Sequence, residues 1–145
     1  EQACRSGDTV VINDYGHHPT QLDLTLEAAR ELYADHRLWA VWEPHTFSRT
    51  DRMHNAFITA LQRADRIVIL PTYAARETVE TNTPRQIAEE IAGSKAAYFT
   101  NFAEAADFVA KEANGLNVVI IFSAGRGPEF ATMLCQKLDA RKQND

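Results

Sequence analysis

Cysteine is scarce in this sequence: the only two, Cys4 and Cys135, lie near opposite ends of 145 residues. Neither stands in a C-x-x-C or C-x-x-H spacing, which excludes a cysteine zinc site or a redox motif and reads as a reduced, intracellular pair. No apolar run is long enough to cross a bilayer, and Glu1-Gln2-Ala3-Cys4-Arg5-Ser6 lacks the apolar core of a signal peptide. A cytoplasmic protein with no membrane partner is the expectation. Without an initiator methionine, the chain reads as processed or excised. Basic charge is in deficit, with 15 Lys and Arg against 20 Asp and Glu and a formal net charge of −5. No broad cationic surface for nucleic acid follows from that balance, although a local pocket for a phosphate or carboxylate is compatible with it. Neither G-x-G-x-x-G nor G-x-x-x-x-G-K-[ST] occurs, so a standard phosphate cradle is absent. Internal repeats, low-complexity tracts and interdomain linkers are absent too.

What is present suits one ordinary domain. Hydrophobic residues make up 45% of the chain, enough for a core without staples. Thr9-Val10-Val11-Ile12-Asn13 reads as a buried strand. Leu22, Leu26, Ala29, Leu32 and Tyr33 recur at helical spacing behind Pro19, predicting a helix over roughly 19–34. Arg37 to Trp42 is a second strand, and Ser48 or Thr50 can cap a helix carrying Met53, Phe57, Ile58 and Leu61. Arg66-Ile67-Val68-Ile69-Leu70 and Asn117 to Phe122 are almost continuously apolar, as parallel strands covered on both faces are. Between them come a helix over about 84–92, a weak strand at Ala96-Ala97-Tyr98-Phe99 and a helix from Phe102 to Glu112. A last helix runs from Pro128 to about Arg141. This alternation predicts an α/β fold: a three-layer, Rossmann-like open sheet, mostly parallel, of about five to six strands with helices on both faces.

In such a sheet ligands bind outside the carboxyl ends of the strands. The loops expected there carry Asp14-Tyr15-Gly16-His17-His18-Pro19, Glu43-Pro44-His45-Thr46-Phe47-Ser48-Arg49-Thr50, Tyr73-Ala74-Ala75-Arg76-Glu77 and Ser123-Ala124-Gly125-Arg126-Gly127. The helix-to-strand turns at the opposite edge are ordinary. Asp14 is either an Asx-turn residue or a carboxylate that accepts ribose hydroxyls or a substrate amine. His17, His18 and His45 lack a carboxylate or cysteine at ligand spacing, so no metal is expected; His18, before a proline, reads as the residue that orients the helix entry. Arg49, near a helix start, offers a guanidinium fork suited to a carboxylate. Trp39, Trp42 and Tyr73 read as packing residues of core or rim.

Asp14 to Thr20 behind a strand, followed by Glu43 to Thr50, the Tyr73 to Glu77 loop and the Ser123-Ala124-Gly125 turn, resembles the C-terminal domain of the Mur ligases, most closely the branch that adds L-alanine to UDP-N-acetylmuramate. The resemblance spans nearly the whole chain. It implies that residues 1–145 form an amino-acid- and ATP-clamping domain, with an N-terminal UDP-binding domain and a central ATPase domain as further parts of the same polypeptide. ATP and magnesium would serve the full enzyme, magnesium being held mainly by the central domain. The implied reaction is amide formation in peptidoglycan precursor synthesis, through an acyl phosphate, and the isolated domain is expected to be inactive.

By position, the resemblance assigns Asp14 to the nucleotide and Tyr15, His17, His45 and Arg49 to L-alanine, with His17 a candidate proton acceptor. Thr46, Tyr73, Arg76, Glu77 and Arg126 are candidate rim residues. Three departures stand out: Thr46 occupies a place where many members carry a second basic residue, Arg126 replaces the usual acid of an Ala-Gly-Asp turn, and the usual arginine-rich segment before the first strand is missing. Two other readings are a ligase that attaches a recycled tripeptide to the same UDP-sugar and a stand-alone, non-catalytic α/β binding module.

Overall fold

The structure is a computed structural model that describes residues 1–143 apart from Ala92 and Ser94. Its sheet has six strands. These are β1 (Gln2–Ser6), β2 (Thr9–Asp14), β3 (Arg37–Trp42), β4 (Arg66–Ile69), β5 (Ala96–Tyr98) and β6 (Asn117–Phe122). The helices are α1 (Pro19–Leu32), α2 (Phe47–Arg52), α3 (His54–Leu61), α4 (Thr83–Glu90), α5 (Phe102–Glu112) and α6 (Gly127–Gln143). The spatial order is β1-β2-β6-β3-β4-β5, and every neighbouring pair is parallel except β1 with β2.

The central strand β6 is buried along its whole length, which is why its sequence is a continuous apolar run rather than an alternating one. Its side chains feed two cores. Val118, Ile120 and Phe122 pack under α1, α3 and α4 with Leu22, Leu26, Phe57, Leu61 and Ile87, whereas Val119 and Ile121 meet Phe102, Val109, Phe130 and Leu134 of α5 and α6. The three-layer architecture follows from this division. One buried polar residue is fully used: Asn117 accepts from Trp39 Nε1 at 2.8 Å and donates to the carbonyls of Asn114 and Gly115. Leaving such a group unpaired would cost about 1–3 kcal/mol.

Strict alternation of strand and helix fails at the N-terminus, where β1 forms an antiparallel hairpin with β2 around Gly7 and Asp8. Gly7 sits at φ 59°, a conformation open to glycine and costly for most other residues. The helix expected to run through Met53 is two helices. Met53, at φ −111° and ψ 26°, closes α2 with its N–H on Arg49 O and opens α3 with its carbonyl accepting from Phe57 N. The bend keeps α2 at the rim while Phe57 of α3 stacks on Trp42 at 4.5 Å. The fourth helix ends at Glu90, and Ala92, its expected last residue, lies outside the described residues.

The reading of two reduced cysteines is also overturned. Cys4 on β1 and Cys135 on α6 form a disulfide, their Cα atoms 6.3 Å apart. Sequence spacing gave no hint of it because α6 folds back over the edge strand, and a hairpin unseen in the sequence could not be placed beside the last helix.

Candidate functional site

Parallel register brings the strand ends to one edge. Asp14 and Trp42 both lie beside Phe122, and Ile69 lies beside Trp42, so residues after positions 14, 42, 70 and 122 emerge together. Because β6 inserts between β2 and β3, the connection from β2 to β3 steps over it, creating the switch in strand order where α/β sheets open a crevice.

Leaving β2, the chain is held in a tight turn by Asp14, whose Oδ1 accepts from Gly16 N at 2.7 Å while Oδ2 accepts from Thr25 Oγ1 at 3.3 Å. The carboxylate therefore performs the Asx-turn role its sequence position allowed. A Cβ at position 16 would stand 2.7 Å from that same Oδ1, so any larger residue there would displace the carboxylate or the turn. His18 caps α1: its Nδ1 accepts from Thr20 N at 3.2 Å, and Gln21 Oε1 accepts from the N–H groups of His17 and His18. This reciprocal capping box fixes the angle at which the loop enters the helix. His17 is thereby held half-buried on the rim while Tyr15 stands 75% exposed.

The loop after β3 supplies His45 and Arg49. Thr46 between them has φ 64° and ψ 146°, a backbone conformation that a β-branched residue adopts only under constraint. Its N–H donates to Tyr73 O at 2.9 Å, its Oγ1 caps Arg49 N at 3.3 Å, and its carbonyl accepts from Thr50 Oγ1 at 3.0 Å. The consequence is a fixed turn that aims His45 and Arg49 at each other. His17, His45 and Tyr73 then follow in a row of ring contacts, with centroids 5.5 Å and 5.6 Å apart.

Burial, then the Arg49 and His17 charges, hold the His45 imidazole below its ordinary value, against an opposing pull from Glu43 and Glu77. Glu77 itself is held below the usual carboxylate range, first by a hydrogen bond from the Ser48 side chain and then by the backbone N–H groups of Ser48 and Phe47. Glu77 thus receives the free amides that open α2.

Not every candidate joins this group. Arg126 bonds both carboxylate oxygens of Glu129, at 2.9 Å and 2.8 Å, with its guanidinium 4.5 Å over the Phe102 ring. Its charge is spent between α6 and α5. Arg76 is exposed beside Ala75, which takes φ 57°. One residue that the sequence reading left out is central: Glu43, 2% exposed, accepts from Ser123 Oγ at 2.6 Å and Arg126 N at 2.9 Å. The available signal was an acid directly continuing a buried strand, which must find donors to be tolerated there. A cavity of about 820 Å³ runs from Asp14, Tyr15 and Ser123 past Pro128 to Cys135.

Comparison with known proteins gives this geometry a context. The family model of the Mur ligase glutamate ligase domain matches residues 1–125. The chain is 37% identical over 125 residues to the UDP-N-acetylmuramate–L-alanine ligase of Lactobacillus acidophilus, an alignment covering 86% of the chain and 27% of that protein. Among solved structures it resembles a murein peptide ligase from Psychrobacter arcticus, with a TM-score of 0.77 at 22% identity, covering 96% of this chain and 29% of that one. It also resembles the UDP-N-acetylmuramate–alanine ligase of Thermotoga maritima, with a TM-score of 0.67 at 21% identity, covering 94% and 27%. The chain therefore spans roughly a quarter to a third of the length of these relatives.

Proposed function

The chain belongs to the C-terminal, glutamate ligase domain family of the Mur ligases, and from that premise we propose that it is the amino-acid- and ATP-clamping domain of a ligase that joins L-alanine to UDP-N-acetylmuramate. The observation that carries this reading is the pairing of His45 and Arg49 on one side of the rim with His17 and Asp14 on the other. Arg49 offers a fork for the alanine carboxylate, with His45 beside it, which leaves the amine free to face the reacting carbonyl. Positioning of this kind supplies several kcal/mol of barrier lowering.

In the proposed reaction ATP phosphorylates the lactyl carboxylate, and the amine of L-alanine displaces phosphate from the acyl phosphate to form the amide, leaving ADP and inorganic phosphate. His17 takes part as an orienting group for the ammonium and the candidate acceptor of its proton. Asp14 fits a ribose: its carboxylate borders the open cavity, and each oxygen retains a lone pair beyond its internal bond. Neither standard phosphate-cradle motif occurs in the sequence, so the triphosphate and magnesium are assigned to a central domain and the UDP-sugar to an N-terminal one, both further parts of a longer polypeptide. A cytoplasmic site of action accords with these substrates; no helix among the described residues is long and apolar enough to cross a membrane.

The test is phosphate release by the full-length protein with ATP, magnesium and UDP-N-acetylmuramate, under a panel of amine acceptors. Strong dependence on L-alanine supports the proposal. Preference for a tripeptide would transfer the chain to the recycling branch, and no turnover with any acceptor would favour a binding module.

A further inference from the structure

Glu43 occupies the junction of three strand ends. Its N–H donates to Phe122 O at 2.9 Å, and its Oε1 receives Ser123 Oγ and Arg126 N. Ser123 Oγ in turn accepts from the N–H groups of Gly125 and Gly127, at 3.0 Å and 2.8 Å, while Ser123 N donates to Asp14 O. A single buried carboxylate oxygen thus closes the turn between β6 and α6.

That turn brings Gly125 against Tyr73. A Cβ on Gly125 would meet the Tyr73 ring at 2.7 Å and 2.8 Å and Glu43 Oε1 at 3.0 Å, so glycine lies between the carboxylate and the aromatic face with no space left over. The same Tyr73 ring stacks on His45 at 5.6 Å with an interplanar angle of 23°. The backbones lock the same pair: Tyr73 N donates to Pro44 O at 2.8 Å, and Thr46 N to Tyr73 O at 2.9 Å. His45 is confined further by Arg49 Nη1, 3.4 Å from its Nδ1.

We propose that Glu43 is a positioning residue that sets the plane of the His45 imidazole through the Ser123–Arg126 turn and Tyr73. Glu43 does not touch the substrate. It fixes how far the turn presses on the tyrosine, and the tyrosine fixes the ring that stands beside the amino-acid-binding arginine. The contribution to alanine binding rests on the function proposed above; the geometric claim does not.

The experiment compares Glu43→Ala, Glu43→Gln and Gly125→Ala. In the 145-residue chain, NMR signals of the His45 ring report its plane relative to Tyr73, and circular dichroism reports folding. Glu43→Ala and Gly125→Ala are expected to shift the His45 signals, whereas Glu43→Gln, which keeps an acceptor oxygen, leaves them near the wild-type position. In the full-length protein the same two disruptive variants should raise KM for L-alanine about tenfold to a hundredfold, with kcat falling far less, and Glu43→Gln should recover most of that loss. If Glu43→Ala fails to fold, Gly125→Ala decides. Unmoved His45 signals in the folded variants overturn the proposal. Shifted signals in a protein that never uses L-alanine uphold it and overturn the functional reading instead.

Discussion

Arg49 Nη1 lies 3.4 Å from His45 Nδ1, and since a guanidinium has donors but no acceptor, a hydrogen bond between them uses the lone pair of that ring nitrogen and the tautomer protonated at Nε2. In the function proposed above, His45 in that tautomer aligns Arg49 without competing for the alanine carboxylate. Replacing Arg49 by Ala in the full-length protein should raise the apparent KM for L-alanine roughly 10- to 100-fold, the equivalent of one charged hydrogen bond. Arg49→Lys should recover little, because a point charge lacks the fork. Steady-state kinetics with varied L-alanine checks both, and an unchanged KM removes Arg49 from the amino-acid site.

The depressed His45 value has a direction in pH. Above the ordinary histidine value of about 6.5, the imidazole is neutral in both folded and unfolded chains and the full stability is present. As pH falls below that value, the unfolded chain takes up its proton first, so stability declines until the folded state protonates as well. Thermal melts across this window should show a smaller decline in His45→Gln than in the wild type. Parallel pH profiles would show that the ring is not held in its neutral form.

Thr46 holds a strained backbone in place with three hydrogen bonds of its own. Such a conformation costs on the order of 1–3 kcal/mol, whereas exchanging an N-cap threonine for glycine costs only a few tenths. Thr46→Gly is expected to leave Tm unchanged or raised while weakening L-alanine binding, because α2 loses its fixed entry. A pronounced fall in Tm would mean that the cap outweighs the strain.

Gly16→Ala tests the first loop. The added methyl collides with Asp14 Oδ1 at 2.7 Å, so the turn must open or the carboxylate must rotate. Destabilisation of about 1–3 kcal/mol is expected, with KM for ATP rising more than KM for L-alanine. Equal effects on the two substrates would separate Asp14 from the nucleotide.

Much of this framework was legible because parallel strands buried on both faces leave apolar runs such as Asn117 to Phe122, and helices leave spaced ones such as Leu22 and Leu26. His18 was legible as a cap because a proline follows it. The edge strand Gln2–Ser6 was not: four of its residues are exposed or half-exposed, so burial imposed no pattern on it. Its one local signal was Gly7-Asp8, a two-residue hairpin loop. Glu43 escaped for a different reason. Its partners Ser123 and Arg126 lie some 80 residues away along the chain, and no local spacing records such a contact. Glu77 was legible as a rim residue, yet its place at the opening of α2 depends on the fold of two loops.

The disulfide between Cys4 and Cys135 closes a loop with a sequence separation of 131 residues. In the chain-entropy account, closure on that scale stabilises the fold by about 5 kcal/mol. It also alters what a protease can accomplish. A single cut anywhere between those cysteines, in the exposed Thr78–Glu80 segment for example, leaves two pieces covalently joined. Such a nicked molecule would migrate as one species on a gel without reductant and as two with it.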